Sequence, residues 1–190
     1  MEDKGKDTRH KKKGADSKVR LITSTKKGDR GQTRLLSGEK VSKSNLRIEA
    51  GGNLDESNAI MGLARAFTEN ERIRDIISTV QGELVLLGAE LSSTNPRLIM
   101  KRIELEHISQ LEKWINGLQE EVPLAPRFVS PGVNSVSAAL DLARSVIRRT
   151  ERSMVILQEM GQLERAETLK YVNRLGTLLY TLARYSEKVK

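Results

Sequence analysis

Residues 73–91 read IRDIISTVQGELVLLGAEL, and they put Ile73, Ile76, Ile77, Val80, Leu84, Leu87 and Leu91 on one stripe at steps of three and four. That spacing predicts an amphipathic helix, closed by Asn95-Pro96. The same period appears on both sides of it. Upstream, Ile60, Met61, Ala64 and Phe67 predict a helix over Leu54 to Glu69, with Asn53 available as its cap. Downstream, Ile108, Leu111, Ile115, Leu118 and Val122 form a third stripe, interrupted by Pro123 and Pro126. After a turn-rich connection come a fourth helix over about 135–160 and a fifth over about 163–188, with Leu169, Val172, Leu175, Leu179 and Leu182 turned inward. Strand signals are weak, so the expected fold is all-α, a five-helix bundle with ferritin-like packing. Residues 21–52, rich in Gly, Ser, Thr and Lys, read as an ordered loop in front of it.

The chain has 190 residues, the size of one domain: a tail over 1–20 followed by a bundle domain over 21–190. No cysteine and only two histidines exclude disulfides, thiolate nucleophiles and histidine-rich metal centres, and no metal site is expected. Half of the net charge of +8 sits in residues 1–20, which hold eight basic and four acidic residues and too little apolar surface to fold. This tail is expected to be disordered. No apolar run has the length of a membrane span, and a soluble, cytoplasmic protein with no membrane partner is expected.

Four stretches carry chemistry. Thr25-Lys26-Lys27-Gly28-Asp29-Arg30-Gly31-Gln32-Thr33 combines glycines, hydroxyls and cations, which suits phosphate, though its spacing is neither a Walker loop nor a dinucleotide fingerprint. On its own it reads more readily as a flexible polar turn. On the fourth helix, Arg144, Arg148, Glu151 and Arg152 share a face, which periodicity alone makes a solvated, salt-bridged stripe. Arg149 falls at the margin of the apolar arc and needs a carboxylate or ligand partner. Asn173-Arg174 on the fifth helix reads as a helix–helix contact, and Asp55-Glu56 as acids at a helix start. His107, among Glu104, Glu106 and Gln110, reads as a surface histidine.

Taken together and in order, these stretches resemble the trimeric, helical-bundle ATP:cob(I)alamin adenosyltransferases. Thr25 to Thr33 resembles the family's T-x-x-G-D-x-G-x-T loop, and Lys43 with Glu49 to Asn58 resembles its lysine and E-x-x-G-x-x-D-E segment. Arg144 to Arg152, with Ala143, resembles A-R-x-x-x-R-R-x-E-R, and Tyr171 to Arg184 resembles Y-x-N-R-L-x-x-x-L-x-x-x-A-R. The likeness covers about residues 21–186.

The resemblance implies that Co(I) of a reduced corrinoid attacks C5′ of ATP and expels triphosphate bound to Mg²⁺, making adenosylcobalamin. It implies that Thr25, Lys26, Lys27, Gly28, Thr33, Arg34 and Lys43 contact ATP, and that Arg148, Arg149, Glu151, Arg152 and Asn173 complete the site from a neighbouring subunit of a homotrimer. Arg148 would act on the leaving phosphates, Asp55 and Arg144 would form an ion pair near the corrin, and Phe128 would fill its lower axial side. A cobalamin reductase and an enzyme that uses adenosylcobalamin are the implied partners. The chain departs from the pattern at Gly176-Thr177, where relatives carry Ser-Asp, at Tyr180 for phenylalanine, at Val133-Asn134 for glycine-serine and at Ser57 for leucine. The missing carboxylate keeps a second class open, a non-catalytic bundle that binds or delivers adenosylcobalamin. A basic nucleic-acid-binding bundle is the third; outside the tail its charge excess is small, and the six aromatics are scattered rather than arranged for base stacking.

Overall fold

The apolar stripe of residues 73–91 becomes α2 (Glu71–Leu91) in the computed structural model, which describes Lys26, residues 28–124 and residues 126–189. Ile73, Ile76, Ile77, Val80, Leu84, Leu87 and Leu91 are all buried, and the Asn70 side chain accepts the Ile73 N–H at 3.2 Å to start the helix. Around it stand α1 (Leu46–Phe67), α3 (Leu105–Glu121), α4 (Ser135–Glu159) and α5 (Ala166–Ser186). The expectation of a five-helix bundle is met. α1 lies along α4, α4 along α5 and α5 along α3, while α2 packs on α1 and touches α5. Among the described residues no helix is long and apolar enough to cross a membrane. The tail over 1–20 lies outside the described residues, as do Thr25 and Lys27.

Two expectations about secondary structure need correction. The first helix does not begin at Leu54 behind an Asn53 cap; it begins two turns earlier, where Asn45 accepts the Arg47 N–H at 2.9 Å. Gly51-Gly52 weakens local helix propensity there, but Ala50 and Leu54 are buried and hold the segment helical through tertiary packing. Asn53 is then an interior residue, 9% exposed. The second correction concerns residues 21–52, whose described part is not loop throughout. β1 (Gln32–Arg34) and β2 (Lys40–Ser42) form an antiparallel hairpin, too short for a period of two to register in the sequence.

Elsewhere the ends of the helices follow local chemistry. Asn134 caps α4 by accepting the Ser137 N–H at 2.7 Å and also donates to the Ser186 carbonyl at 2.9 Å, tying the entry of α4 to the end of α5. His107 is half-buried rather than a free surface histidine: its Nδ1 accepts the Glu104 N–H at 3.0 Å at the start of α3.

Inside the bundle, the Tyr171 hydroxyl of α5 donates to Glu83 Oε2 of α2 at 2.7 Å. Burial pushes the Glu83 carboxyl above its ordinary 4.5, against the pull of the tyrosine hydrogen bond. A carboxyl with a raised folded-state pKa stabilises the fold most fully below 4.5, and that contribution is lost as pH rises through the folded value. Glu83→Gln, neutral at every pH, should therefore unfold at higher urea than the parent at pH 8, with the advantage shrinking towards zero at pH 4.5. An advantage equal at both pH values would contradict the buried charge.

Candidate functional site: a cationic hairpin and an apolar cavity

The hairpin owes its position to its tip. Leu35 is buried, and the Leu36 N–H donates to the Ser92 carbonyl at 2.6 Å just past the end of α2. Thr94 donates its hydroxyl to Glu39 Oε1 at 2.6 Å, and its N–H to Ser37 Oγ at 3.3 Å. The strands and the segment before them are thus held out from the bundle around a cavity of about 870 Å³.

Five cations line that cavity, Lys26, Arg30, Arg34, Lys40 and Lys43, against one carboxylate, Asp29. Two of them are forced together by the register, which sets Arg34 directly opposite Lys40. Like charges at opposed strand positions destabilise a ladder unless an anion lies between them. Gly28 and Gly31 serve separate needs. A Cβ on Gly28 would sit 3.1 Å from Lys43 Nζ and 3.2 Å from its Cε, so the absent side chain is what lets the ammonium close over the backbone. Gly31 has φ +71°, a left-handed conformation, and its carbonyl accepts the Lys43 N–H at 2.9 Å. Of the residues expected to meet ATP, Lys26, Gly28, Thr33, Arg34 and Lys43 come together here. Arg30 and Lys40 join them, and sequence reading did not single these out as ligands; only the hairpin register reveals Lys40.

The row on α4 lies outside this cavity. Arg148 and Arg152 are exposed, and among the described residues neither makes an ion pair. Arg149 has the partner its position demanded: Nη2 pairs with Glu56 of α1, and Nε donates to Asn53 Oδ1 at 2.8 Å. Glu151 accepts from Asn173 Nδ2 of α5 at 2.9 Å.

A second cavity, of about 800 Å³, opens beside the connection into α4. Phe128 lines it at 95% exposure, with Val129, Pro131 and Leu142, so a large apolar surface stands uncovered. Arg127, Asp141, Arg144, Ser145 and Tyr180 supply its polar groups, the guanidinium of Arg144 lying 5.3 Å from the Tyr180 ring centre and that of Arg184 5.2 Å from it. Arg184 is anchored in turn by Asp141 at 2.6 Å. Asp55 is elsewhere, in the groove between α1 and α2 with Gly51, Leu84 and Gly88. The expected Asp55–Arg144 ion pair is therefore not formed within the chain, because the two side chains line different cavities.

A family model described as cobalamin adenosyltransferase matches residues 23–186. A corrinoid adenosyltransferase of Citrobacter freundii is 36% identical over 165 residues, covering 86% of this chain and 93% of the relative. One from Mycobacterium leprae is 35% identical over 168 residues, covering 84% and 88%. Among solved structures, a PduO-type ATP:corrinoid adenosyltransferase variant from Lactobacillus reuteri, complexed with cobalamin and ATP, superposes with a TM-score of 0.78 at 27% identity, covering 87% of this chain and 90% of the other.

Because the Cβ of Gly28→Ala would meet only the far end of a flexible side chain, the variant should fold normally while displacing Lys43. Loss of one charge-assisted hydrogen bond should weaken binding of inorganic triphosphate about tenfold. Isothermal calorimetry checks this, and an unchanged dissociation constant would remove Lys43 from the anion site.

Proposed function

Because the chain belongs to the cobalamin adenosyltransferase family, we infer that it is an ATP:cob(I)alamin adenosyltransferase, moving the 5′-deoxyadenosyl group of ATP onto the Co(I) of a corrinoid. The observation that carries this reading is the presence of two cavities of different chemistry on one bundle, one cationic beside Gly28, the other combining the exposed apolar surface of Phe128, Val129, Pro131 and Leu142 with polar groups at its edge. One suits a polyphosphate and the other a flat, largely apolar macrocycle.

The reduced cobalt of the substrate is the nucleophile, so a chain without cysteine lacks nothing for this reaction. The cobalt–carbon bond forms as the C5′–oxygen bond breaks, and the electron pair leaves with triphosphate. The protein then has two tasks, alignment and stabilisation of the departing charge. Lys26, Arg34, Lys43 and Thr33 surround the phosphates, Gly28 lets the backbone come close, and the loop motif adds Thr25 and Lys27. Mg²⁺ travels with the triphosphate. Phe128 excludes water from the lower face of the corrin. Supply of Co(I) requires a reductase, and the product serves an adenosylcobalamin-dependent enzyme.

The exposed row of Arg148 and Arg152, with Glu151 and Asn173 beside it and Arg149 tied back to Glu56, faces outward and lies apart from the hairpin cavity. In a homotrimer the hairpin of one chain meets α4 of the next, and each site needs both. The same seam gives Asp55 of one chain access to Arg144 of its neighbour, a pair that one chain cannot make. Exposed Leu63 and Phe67 on α1 and Leu142 on α4 supply apolar surface for such an interface.

Arg148→Ala should lower kcat/KM on the order of 100-fold, the scale for a group stabilising transition-state charge, while leaving the urea midpoint nearly unchanged. Equal loss of activity and stability would assign Arg148 a structural role. Mixing the impaired Lys43→Ala and Arg148→Ala proteins, after subunit exchange, should restore parental activity at about a quarter of the sites, because one site in four receives an intact hairpin and an intact α4 from different chains. No recovery in exchanged trimers would place the whole site within one subunit.

A further inference from the structure

Arg174 sits between two helices that it does not belong to. Its Nε donates to Glu112 Oε1 of α3 at 2.8 Å, and its Nη1 donates to Oδ1 of the adjacent Asn173 at 3.0 Å. Asn173 Nδ2 donates in turn to Glu151 Oε1 of α4 at 2.9 Å. Four side chains therefore run in one hydrogen-bonded line from α3 across α5 to α4.

The middle link of this line has a direction. A carboxamide accepts at one end and donates at the other, and turning it over exchanges the two. With the guanidinium on Oδ1, the amide presents its N–H to the Glu151 carboxylate. Turned over, it would set Oδ1 against that carboxylate and its NH₂ group against the guanidinium, two repulsive contacts in place of two attractive ones. The guanidinium and the Glu151 carboxylate thus select the same orientation of Asn173 from its two ends, and Glu112 holds the guanidinium in place.

We propose that Arg174, held by Glu112, is a positioning residue for nucleotide binding, fixing the Asn173 amide and through it the Glu151 carboxylate. This rests on the reading of Asn173 and Glu151 as parts of the ATP site.

Two features separate it from an ordinary surface ion pair. The Arg174 and Glu112 side chains are 44% and 46% exposed, so their pairing adds little to stability and a stability role does not account for the line. Thr177 lines the same small cavity as Glu112 and Arg174, at the position where the resembling motif carries aspartate. A carboxylate at 177 would lie three residues after Arg174 on the same helix face, within reach of its guanidinium. In this chain the carboxylate comes instead from α3.

Steady-state kinetics on the full-length protein, varying MgATP and cob(I)alamin separately, test the line. Arg174→Ala should raise KM for MgATP about tenfold, as for a lost hydrogen bond to a charged group, with KM for the corrinoid unchanged and the melting midpoint within about 2 °C of the parent. Glu112→Gln should move KM for MgATP the same way by a smaller factor, and adding Thr177→Asp to it should return the value to near that of the parent. If Arg174→Ala does not fold, Glu112→Gln and its rescue carry the test, since both keep the guanidinium. An unchanged KM for MgATP in Arg174→Ala and Glu112→Gln, alongside a raised one in Asn173→Ala, would overturn the positioning role and leave the site intact. An unchanged KM in Asn173→Ala as well would overturn the site assignment itself. Failure of Thr177→Asp to rescue Glu112→Gln, or a melting loss that parallels the kinetic one, would also reject the proposal.

Discussion

Arg47 of α1, 6% exposed, places its guanidinium on three backbone carbonyls: those of Leu91 at 2.9 Å and Ser93 at 3.2 Å at the end of α2, and that of Gln162 in the turn after α4. The last turn of α2 has no basic residue of its own, so the negative end of its dipole is met by a cation from α1. Burial pushes the Arg47 pKa down, against the opposing charge of Glu39, but a guanidinium stays ionised in proteins and its desolvation must be offset by these carbonyls. One side chain thereby joins three turns that are far apart in sequence. The hairpin tip hangs on the same turn, through Leu36 to Ser92 and Thr94 to Glu39, and Lys43 lies four residues before Arg47. The position of the cationic cavity is therefore set from the bundle, while the hairpin register sets its internal geometry.

That arrangement matters because the reaction asks for electrostatics and not for a protein nucleophile. Donors held in place before the reaction lose no energy to reorganisation as charge develops. The hairpin holds Arg34 against Lys40, an opposition that two isolated strands of three residues would not sustain, and the bundle supplies the stability that keeps it. An anion between them would turn a repulsion into two attractions, and by this route a small element can gain affinity for a highly charged ligand. The apolar cavity works by the opposite rule. Phe128, Val129 and Leu142 offer surface without charge, and of the polar groups that line it with Arg127 and Ser145, Arg144, Asp141 and Tyr180 are engaged with one another or with Arg184.

How much of this was legible in the sequence follows from how each element is stabilised. α2 and α4 carry long apolar stripes with asparagine caps or proline stops beside them, and periodicity located both to within a residue or two. The start of α1 was hidden because Gly51-Gly52 and a polar composition speak locally for loop, and burial of Arg47, Ala50 and Leu54 overrides that preference only once α4 and the end of α2 are present. The hairpin was hidden because three-residue strands have no period to detect. At the site, the family resemblance named Gly28, Thr33 and Lys43, and these line the cationic cavity together. It could not find Lys40, whose role depends on register, or Glu56 and Glu112, which act on residues far along the chain.

The arginines show why residue type alone was insufficient. Arg72, Arg149, Arg165, Arg174 and Arg184 each meet a carboxylate on another element, and these pairs lie where helices adjoin. Arg148 and Arg152 carry the same charge on the same helix as Arg149, yet one residue of rotation, about 100°, separates a guanidinium that ties α4 to α1 from one that faces outward. Arg148 and Arg152 also stand at i and i+4, where like charges repel by a few tenths of a kcal/mol. Among the described residues neither has a carboxylate partner, a condition they share with Arg47, Arg65, Arg74 and Arg144 on the helices. The block A-R-x-x-x-R-R-x-E-R thus interleaves, by the helical period, a tie between α4 and α1 made by Arg149 and an exposed pair of cations, Arg148 and Arg152.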